Sequence, residues 1–184
     1  MVLTKTPICN FGQKANSFKL TGTDGKIHKL EDHIGKNGFL IMFICNHCPY
    51  VKAVIKDIVN DCKLMEKEGL KCIAIMSNDT KNYPDDSYEN MINFGKEHGF
   101  TFPYLIDETQ EIAKKYGAVC TPDFFGYNNK LELQYRGRIR ELKDLKPVGN
   151  SESDLLKAMR LVAKTGNGPR NQIPSMGCNI KWIN

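Results

Sequence analysis

The sequence has no long hydrophobic run. Its longest, Phe39 to Cys45, is far short of the roughly 18 apolar residues that span a bilayer, which excludes a transmembrane helix. Met1 to Lys14 is too polar to contain the apolar stretch of a secretory signal, so the expected compartment is the cytoplasm. Internal repeats, low-complexity stretches and Gly/Ser linkers are also missing. A single domain is therefore expected over residues 1–184, with its core at about 15–165 and a C-terminal tail at 166–184. There is no continuous basic stripe: the net charge of +5 is spread along the chain, and Arg136, Arg138, Arg140 and Lys143 are interrupted by Glu141 and Asp144. Neither nucleic acid nor a membrane is an expected partner. The seven cysteines are an odd number, which in a reducing compartment argues against a structural disulfide framework.

What is present is the balance of an ordinary globular protein, 41% hydrophobic and 26% charged residues in a chain of 184. Phe18-Lys19-Leu20 and Ile27-His28-Lys29 flank the turn sequence Thr23-Asp24-Gly25, which predicts an N-terminal hairpin. Phe39 to Ile44 is apolar throughout, as a central strand covered on both faces would be. From Pro49, Val51, Ile55, Ile58, Cys62 and Met65 recur at helical spacing up to Gly69, and Cys72 to Met76 predicts a second buried strand, parallel to the first.

Further helices are expected at Ser87 to His98 and Glu108 to Tyr116, with a short strand at Tyr104 to Ile106 between them. A hairpin of Phe124–Tyr127 and Leu131–Tyr135 should turn at Asn128-Asn129. Ser151 is positioned to start a last helix carrying Leu155, Met159 and Val162, with Asp154 reaching back to the cap. A parallel βαβ unit, an antiparallel hairpin and a terminal helix make an α/β thioredoxin fold, a central mixed sheet flanked by helices, here preceded by the extra hairpin.

Chemistry concentrates at Cys45-Asn46-His47-Cys48, between the first buried strand and its helix. A cysteine beside the unpaired N–H groups of a helix N-terminus is favoured as thiolate, the species that attacks disulfides. Cys45 is thus the expected nucleophile, and Cys48, in the first turn, the thiol that resolves a mixed disulfide. His47 between them should stabilise the reduced form. Thr121-Pro122 is expected to be cis and, with Pro49, to border the substrate site, pairing with an extended substrate chain. Cys120 and Cys178 are the candidates for a third redox thiol, with burial in the core and an unreactive tail as their respective alternatives. Cys62 and Cys72 belong to the core. No ligand spacing surrounds His28, His33 or His98, and neither a cofactor nor a metal is expected.

The run from Ala15 through Arg138 resembles the redoxin branch of the thioredoxin superfamily, which holds the alkyl hydroperoxide reductase/thiol-specific antioxidant group and the thiol–disulfide reductases of cytochrome maturation. The resemblance rests on Ala15-Asn16-Ser17-Phe18 with Asp24-Gly25-Lys26, on the strand leading into Cys45-Asn46-His47-Cys48-Pro49, and on Tyr116-Gly117-Ala118-Val119 followed by Thr121-Pro122. It implies a redox function with Cys45 as nucleophile, Cys48 as resolving cysteine and Pro122 as the cis proline. The chain departs from thioredoxin in lacking Gly-Pro between the cysteines and an acidic residue in the preceding strand; Asp79 is the substitute, expected to be a solvated strand-end carboxylate. Expected partners are protein or small-molecule thiols and disulfides and a thiol electron donor.

Two other functions are open to the same residues. A thiol peroxidase would use the same thiolate with Arg136 or Arg138 as cation, although Gly38 and Met42 stand where the peroxiredoxin pattern has Pro and Thr. A copper- or zinc-binding module would use Cys45, Cys48 and His47.

Overall fold

The computed structural model describes residues 2–183. Twelve strands are β1 (Leu3–Lys5), β2 (Lys19–Gly22), β3 (Ile27–Lys29), β4 (Gly38–Phe43), β5 (Leu70–Met76), β6 (Tyr104–Ile106), β7 (Cys120–Thr121), β8 (Asp123–Tyr127), β9 (Leu133–Tyr135), β10 (Leu142–Lys143), β11 (Lys146–Pro147) and β12 (Met176–Asn179). Four α-helices are α1 (Pro49–Lys67), α2 (Tyr88–His98), α3 (Glu111–Tyr116) and α4 (Asp154–Thr165). The main sheet runs β3-β2-β6-β5-β4-β8-β9. Its centre is parallel, β4 with β5 and β5 with β6, while the flanking pairs are antiparallel. This is the mixed sheet with an added N-terminal hairpin that the sequence predicts.

The unbroken apolar run of β4 follows from its place in the middle. Leu40, Met42 and Ile44 pack with α1, α2 and α4 on one face; Phe39, Ile41 and Phe43 pack with α3 residues on the other. Side chains alternate across a strand, so a strand covered on both faces has no position left for a polar residue.

Three local expectations change. The β8–β9 turn places positive φ on Leu131 (64°) and not on the asparagines. Asn128 instead closes the turn with its side chain, its Oδ1 accepting from the Lys130 and Glu132 amides at 3.0 Å each. Helix α4 is capped by Ser153, which accepts from Leu156 N at 2.9 Å and donates to Asp61 of α1 at 2.5 Å. That double role favours Ser153 over Ser151, and Asp154 turns outward to Arg138 at 2.8 Å. Helix α3 starts at Glu111, because Gln110 is left-handed (φ 62°).

The segment read as a tail is folded against the rest. Strand β12 lies between β1 and β7 in a second, three-stranded sheet, with Cys178 and Ile180 buried.

Candidate functional site

Strand β4 delivers Cys45 just beyond its end, and the chain turns through Asn46 and His47 into α1. Cys48 is the N-cap of α1 and Pro49 its first residue, where the missing N–H costs no hydrogen bond. Thr121, at the end of β7, faces both thiols: its Oγ1 lies 3.2 Å from Cys45 Sγ, and its carbonyl oxygen lies 3.1 Å from Cys48 Sγ. The Thr121-Pro122 peptide is cis. Cys178 of β12 adds a third sulfur, 2.8 Å from Cys48 Sγ. Cys45, Cys48 and Cys178 are each at most 1% exposed.

The acidity falls on the other cysteine from the one expected. Cys48 is drawn down to about 5, first by the hydrogen bond from Cys45, then by Cys178 and the nearby Val51 N–H, against the cost of burial. Cys45 is held well above the ordinary thiol range, first by burial, then by the charge it would share with Cys48 and by the Asp86 carboxylate. Position adds a smaller contribution: as N-cap of α1, Cys48 and not Cys45 lies beside the Val51 N–H of the first turn.

Asp86 was not legible in the sequence. It comes from the short 3-10 turn Pro84–Asp86 ahead of α2, is fully buried, and organises the whole redox turn. Its Oδ1 accepts from the Asn46 amide at 2.7 Å and the His47 amide at 3.3 Å. Its Oδ2 meets His47 Nδ1 at 2.7 Å and Asn78 Nδ2 at 2.8 Å. Tyr104 donates to Asn46 Oδ1 at 3.0 Å, and Tyr83 stacks on the His47 ring at 5.7 Å. Burial opposes ionisation of Asp86, but these donors outweigh it and hold the carboxyl below its usual range. The same ion pair raises His47. His47 is thus an anchored, largely buried member of the turn. Asp79 is turned away, its carboxylate accepting from the Lys81 amide and the Asn82 side chain.

Other candidates separate cleanly. Cys120 is buried with its thiol directed at the Pro122 carbonyl, 3.7 Å away, and burial pushes it up. Arg136 is engaged by Asp123 at 2.9 Å and by the Gly117 carbonyl at 2.7 Å, and Arg138 by Asp154 at 2.8 Å, which weakens the case for either as the cation of a peroxide site. Cys45, His47 and Asp86 place ligand atoms within 4.8 Å of one another. Of these groups, His47 and Asp86 are bonded to each other and Cys45 to Thr121. Among the described residues no helix is long and apolar enough to cross a membrane.

Residues 11–142 match the AhpC/TSA family. The thiol-disulfide oxidoreductase ResA of Geobacillus thermodenitrificans is 26% identical over 116 residues, a match covering 62% of this chain and 61% of that protein. A crystal structure of an uncharacterised conserved protein from Geobacillus kaustophilus is 39% identical, with a TM-score of 0.94 over 100% of this chain and 97% of the other. A secreted Mycobacterium tuberculosis disulfide oxidoreductase shares the fold at 16% identity and TM-score 0.59, covering 80% of this chain and 95% of its own. That last neighbour overturns the cytoplasmic placement: the same fold serves a secreted protein, and a polar Met1–Lys14 stretch does not assign a compartment.

Proposed function

The chain belongs to the AhpC/TSA family, and from that membership together with the geometry of its cysteines we propose that it is a thiol–disulfide oxidoreductase working through Cys45 and Cys48. The observation that carries this reading is the pair itself: two thiols at the strand–helix junction, both facing Thr121 within 3.2 Å. Of the two thiols, Cys48 is the one drawn down, to about 5. Cys45 passes its proton to Cys48 as it attacks a substrate disulfide, forming a mixed disulfide and expelling one substrate thiolate. That thiolate takes the proton from Cys48, and Cys48 then attacks Cys45 Sγ, closing the Cys45–Cys48 disulfide and releasing the second thiolate. The substrate disulfide has gained two electrons and the protein has lost two. Cys48 serves as base first and as resolving thiol second. Thr121 and Pro122 border the reacting sulfurs, Pro49 starts the helix that acidifies Cys48, and His47 tunes the charge between them.

The partners are protein or small-molecule disulfides and an external thiol that re-reduces the centre. Reduced protein incubated with insulin and dithiothreitol tests this. Turnover lost in Cys48→Ser is the expected result; turnover that persists in that variant, or none in the wild type, removes the reading. A mixed disulfide trapped through Cys48 in Cys45→Ser, and not through Cys45 in Cys48→Ser, would reverse the order of attack.

A further inference from the structure

Cys178 is 130 positions from Cys48 in the chain, yet their sulfurs are 2.8 Å apart. This is no accident of a loose terminus. Strand β12 is antiparallel to β7 with Cys178 opposite Thr121, the residue that faces the other two sulfurs. Gly177 lets the strand approach: a side-chain carbon there would collide with the Thr121 carbonyl. On one side Ser175 donates to the Pro122 carbonyl at 2.8 Å and exchanges hydrogen bonds with Thr6. On the other the Lys181 amide donates to Asn78 Oδ1 at 2.9 Å, and Asn78 itself holds Asp86. One end of the strand is therefore fixed to the Thr121-Pro122 loop and the other, through Asn78 and Asp86, to the redox turn, with Cys178 between them.

A separation of 2.8 Å is well outside the ~2.05 Å of a disulfide and shorter than the roughly 3–3.5 Å that separates atoms poised to react. Cys48 is the middle sulfur, in contact with Cys178 and hydrogen-bonded by Cys45. It can bond either neighbour but not both.

We propose that Cys178 is a third redox thiol that exchanges with the Cys45–Cys48 disulfide at Cys48. The Cys178 sulfur bonds to Cys48 Sγ as the Cys45–Cys48 bond breaks, and the electron pair and the Cys178 proton go to Cys45. The products are a Cys48–Cys178 disulfide and a Cys45 thiol, with no external oxidant or reductant consumed. The step deepens the oxidoreductase reading and rests on it for its use. An oxidised molecule in this second form has Cys45 available for another disulfide while Cys48 is withheld, so a substrate joined to Cys45 stays captured until Cys48 returns. Burial raises Cys178 first of all, with Cys48 adding to it in the reduced state. Its proton must therefore travel with the exchange, and Cys45, also held above the ordinary range, is the matching acceptor.

The test is disulfide mapping of the full chain after acid quench. Reduced Cys45→Ser exposed to oxidised glutathione should lose two thiols to one intramolecular Cys48–Cys178 bond and retain no glutathione. Cys45→Ser/Cys178→Ser should stop at glutathione on Cys48. A Cys45→Ser protein that keeps the adduct with Cys178 still alkylatable overturns the proposal. If the variant does not fold, oxidised wild type decides: peptides linked 48–178 beside those linked 45–48 are expected, and their absence overturns it. Insulin turnover is scored separately. A Cys48–Cys178 bond without turnover sinks the oxidoreductase reading and leaves the thiol assignment standing.

Discussion

Two groups of buried thiols sit on the same face of the central sheet, and only one is built for chemistry. Cys62 of α1 and Cys72 of β5 are 3% and 7% exposed, little different from Cys45 and Cys48. Cys62 interacts with Cys72, as Cys45 does with Cys48, and Cys72 Sγ also contacts Met65 Sδ at 3.8 Å. Yet burial and the neighbouring thiol and carboxylates only push Cys62 up, while Cys48 is drawn down to about 5. The difference lies in what surrounds the sulfur. Cys48 has a helix N-terminus and two thiol donors; Cys62 has apolar neighbours and the second half of its helix. Burial alone makes a cysteine inert, and reactivity comes from the dipoles that burial leaves unscreened.

The largest effect should come from breaking that asymmetry directly. Cys48→Ser removes both base and resolving thiol, and disulfide turnover should fall roughly 10²–10⁴-fold, whereas Cys62→Ser should leave turnover within about twofold after correction for folded fraction. Equal losses in the two variants would erase the distinction. A pH titration of the ultraviolet thiolate absorbance sharpens it. One thiolate should appear near the value of about 5 assigned to Cys48, vanish in Cys48→Ser and persist in Cys62→Ser.

Asp86 is next in size. Its carboxylate accepts from two turn amides, His47 and Asn78, and hydrogen bonds to charged groups contribute roughly 1.5–3 kcal/mol each. Asp86→Asn keeps the shape but loses the charge, so chemical denaturation at neutral pH should show a loss on the order of 1.5–3 kcal/mol. The sign with pH is set by both partners. Asp86 is depressed, so its contribution is present above the unfolded carboxyl value and is lost as pH falls through its folded one. His47 is raised, so its contribution is complete below 6.5 and is lost as pH rises through its folded value. The gap between wild type and Asp86→Asn should therefore narrow at both ends of the pH range. A gap that is constant with pH would mean that Asp86 acts by shape alone.

What was legible in the sequence was local. The apolar run of β4, the helical spacing from Val51 to Met65 and the Thr121-Pro122 loop each carry their signal within a few residues, and each took its expected place. The direction of the shifts at Cys45 and Cys48 depends on contacts the sequence does not display, the hydrogen bonds from Cys45 and Cys178 to Cys48, and on one residue of helix phase: with Pro49 as first helical residue, Cys48 becomes the cap. Asp86 was beyond reach in a different way, and so was the partner of Cys178, a cysteine the sequence already offered as a third redox thiol. They meet the turn across 40 and 130 positions, and neither Pro84-Asp85-Asp86-Ser87 nor Ser175-Met176-Gly177-Cys178 has a spacing that points to a partner. Only the crossing from β5 into α2 and the pairing of β12 with β7 bring them there.

The smallest expected effect concerns His47, and it separates charge from architecture. Protonated His47 is close enough to Cys48 for the two charges to favour each other, so the reduced protein, with its thiolate, gains more from the imidazolium than the neutral disulfide does. Replacing it by proline would confuse two causes, because the His47 amide also donates to Asp86 at 3.3 Å. His47→Gln keeps that amide and removes only the charge. Its Cys45/Cys48 reduction potential should be lower by about 10–30 mV, since about 30 mV corresponds to 1.4 kcal/mol in a two-electron couple. The offset should be largest between pH about 5, where Cys48 ionises, and the raised titration of His47, and should close above it, where the wild-type imidazole is neutral too. Equilibration with glutathione at a series of pH values reads this directly. An offset that persists unchanged at alkaline pH would assign the effect to packing in the turn, and no offset at any pH would remove His47 from the tuning of the pair.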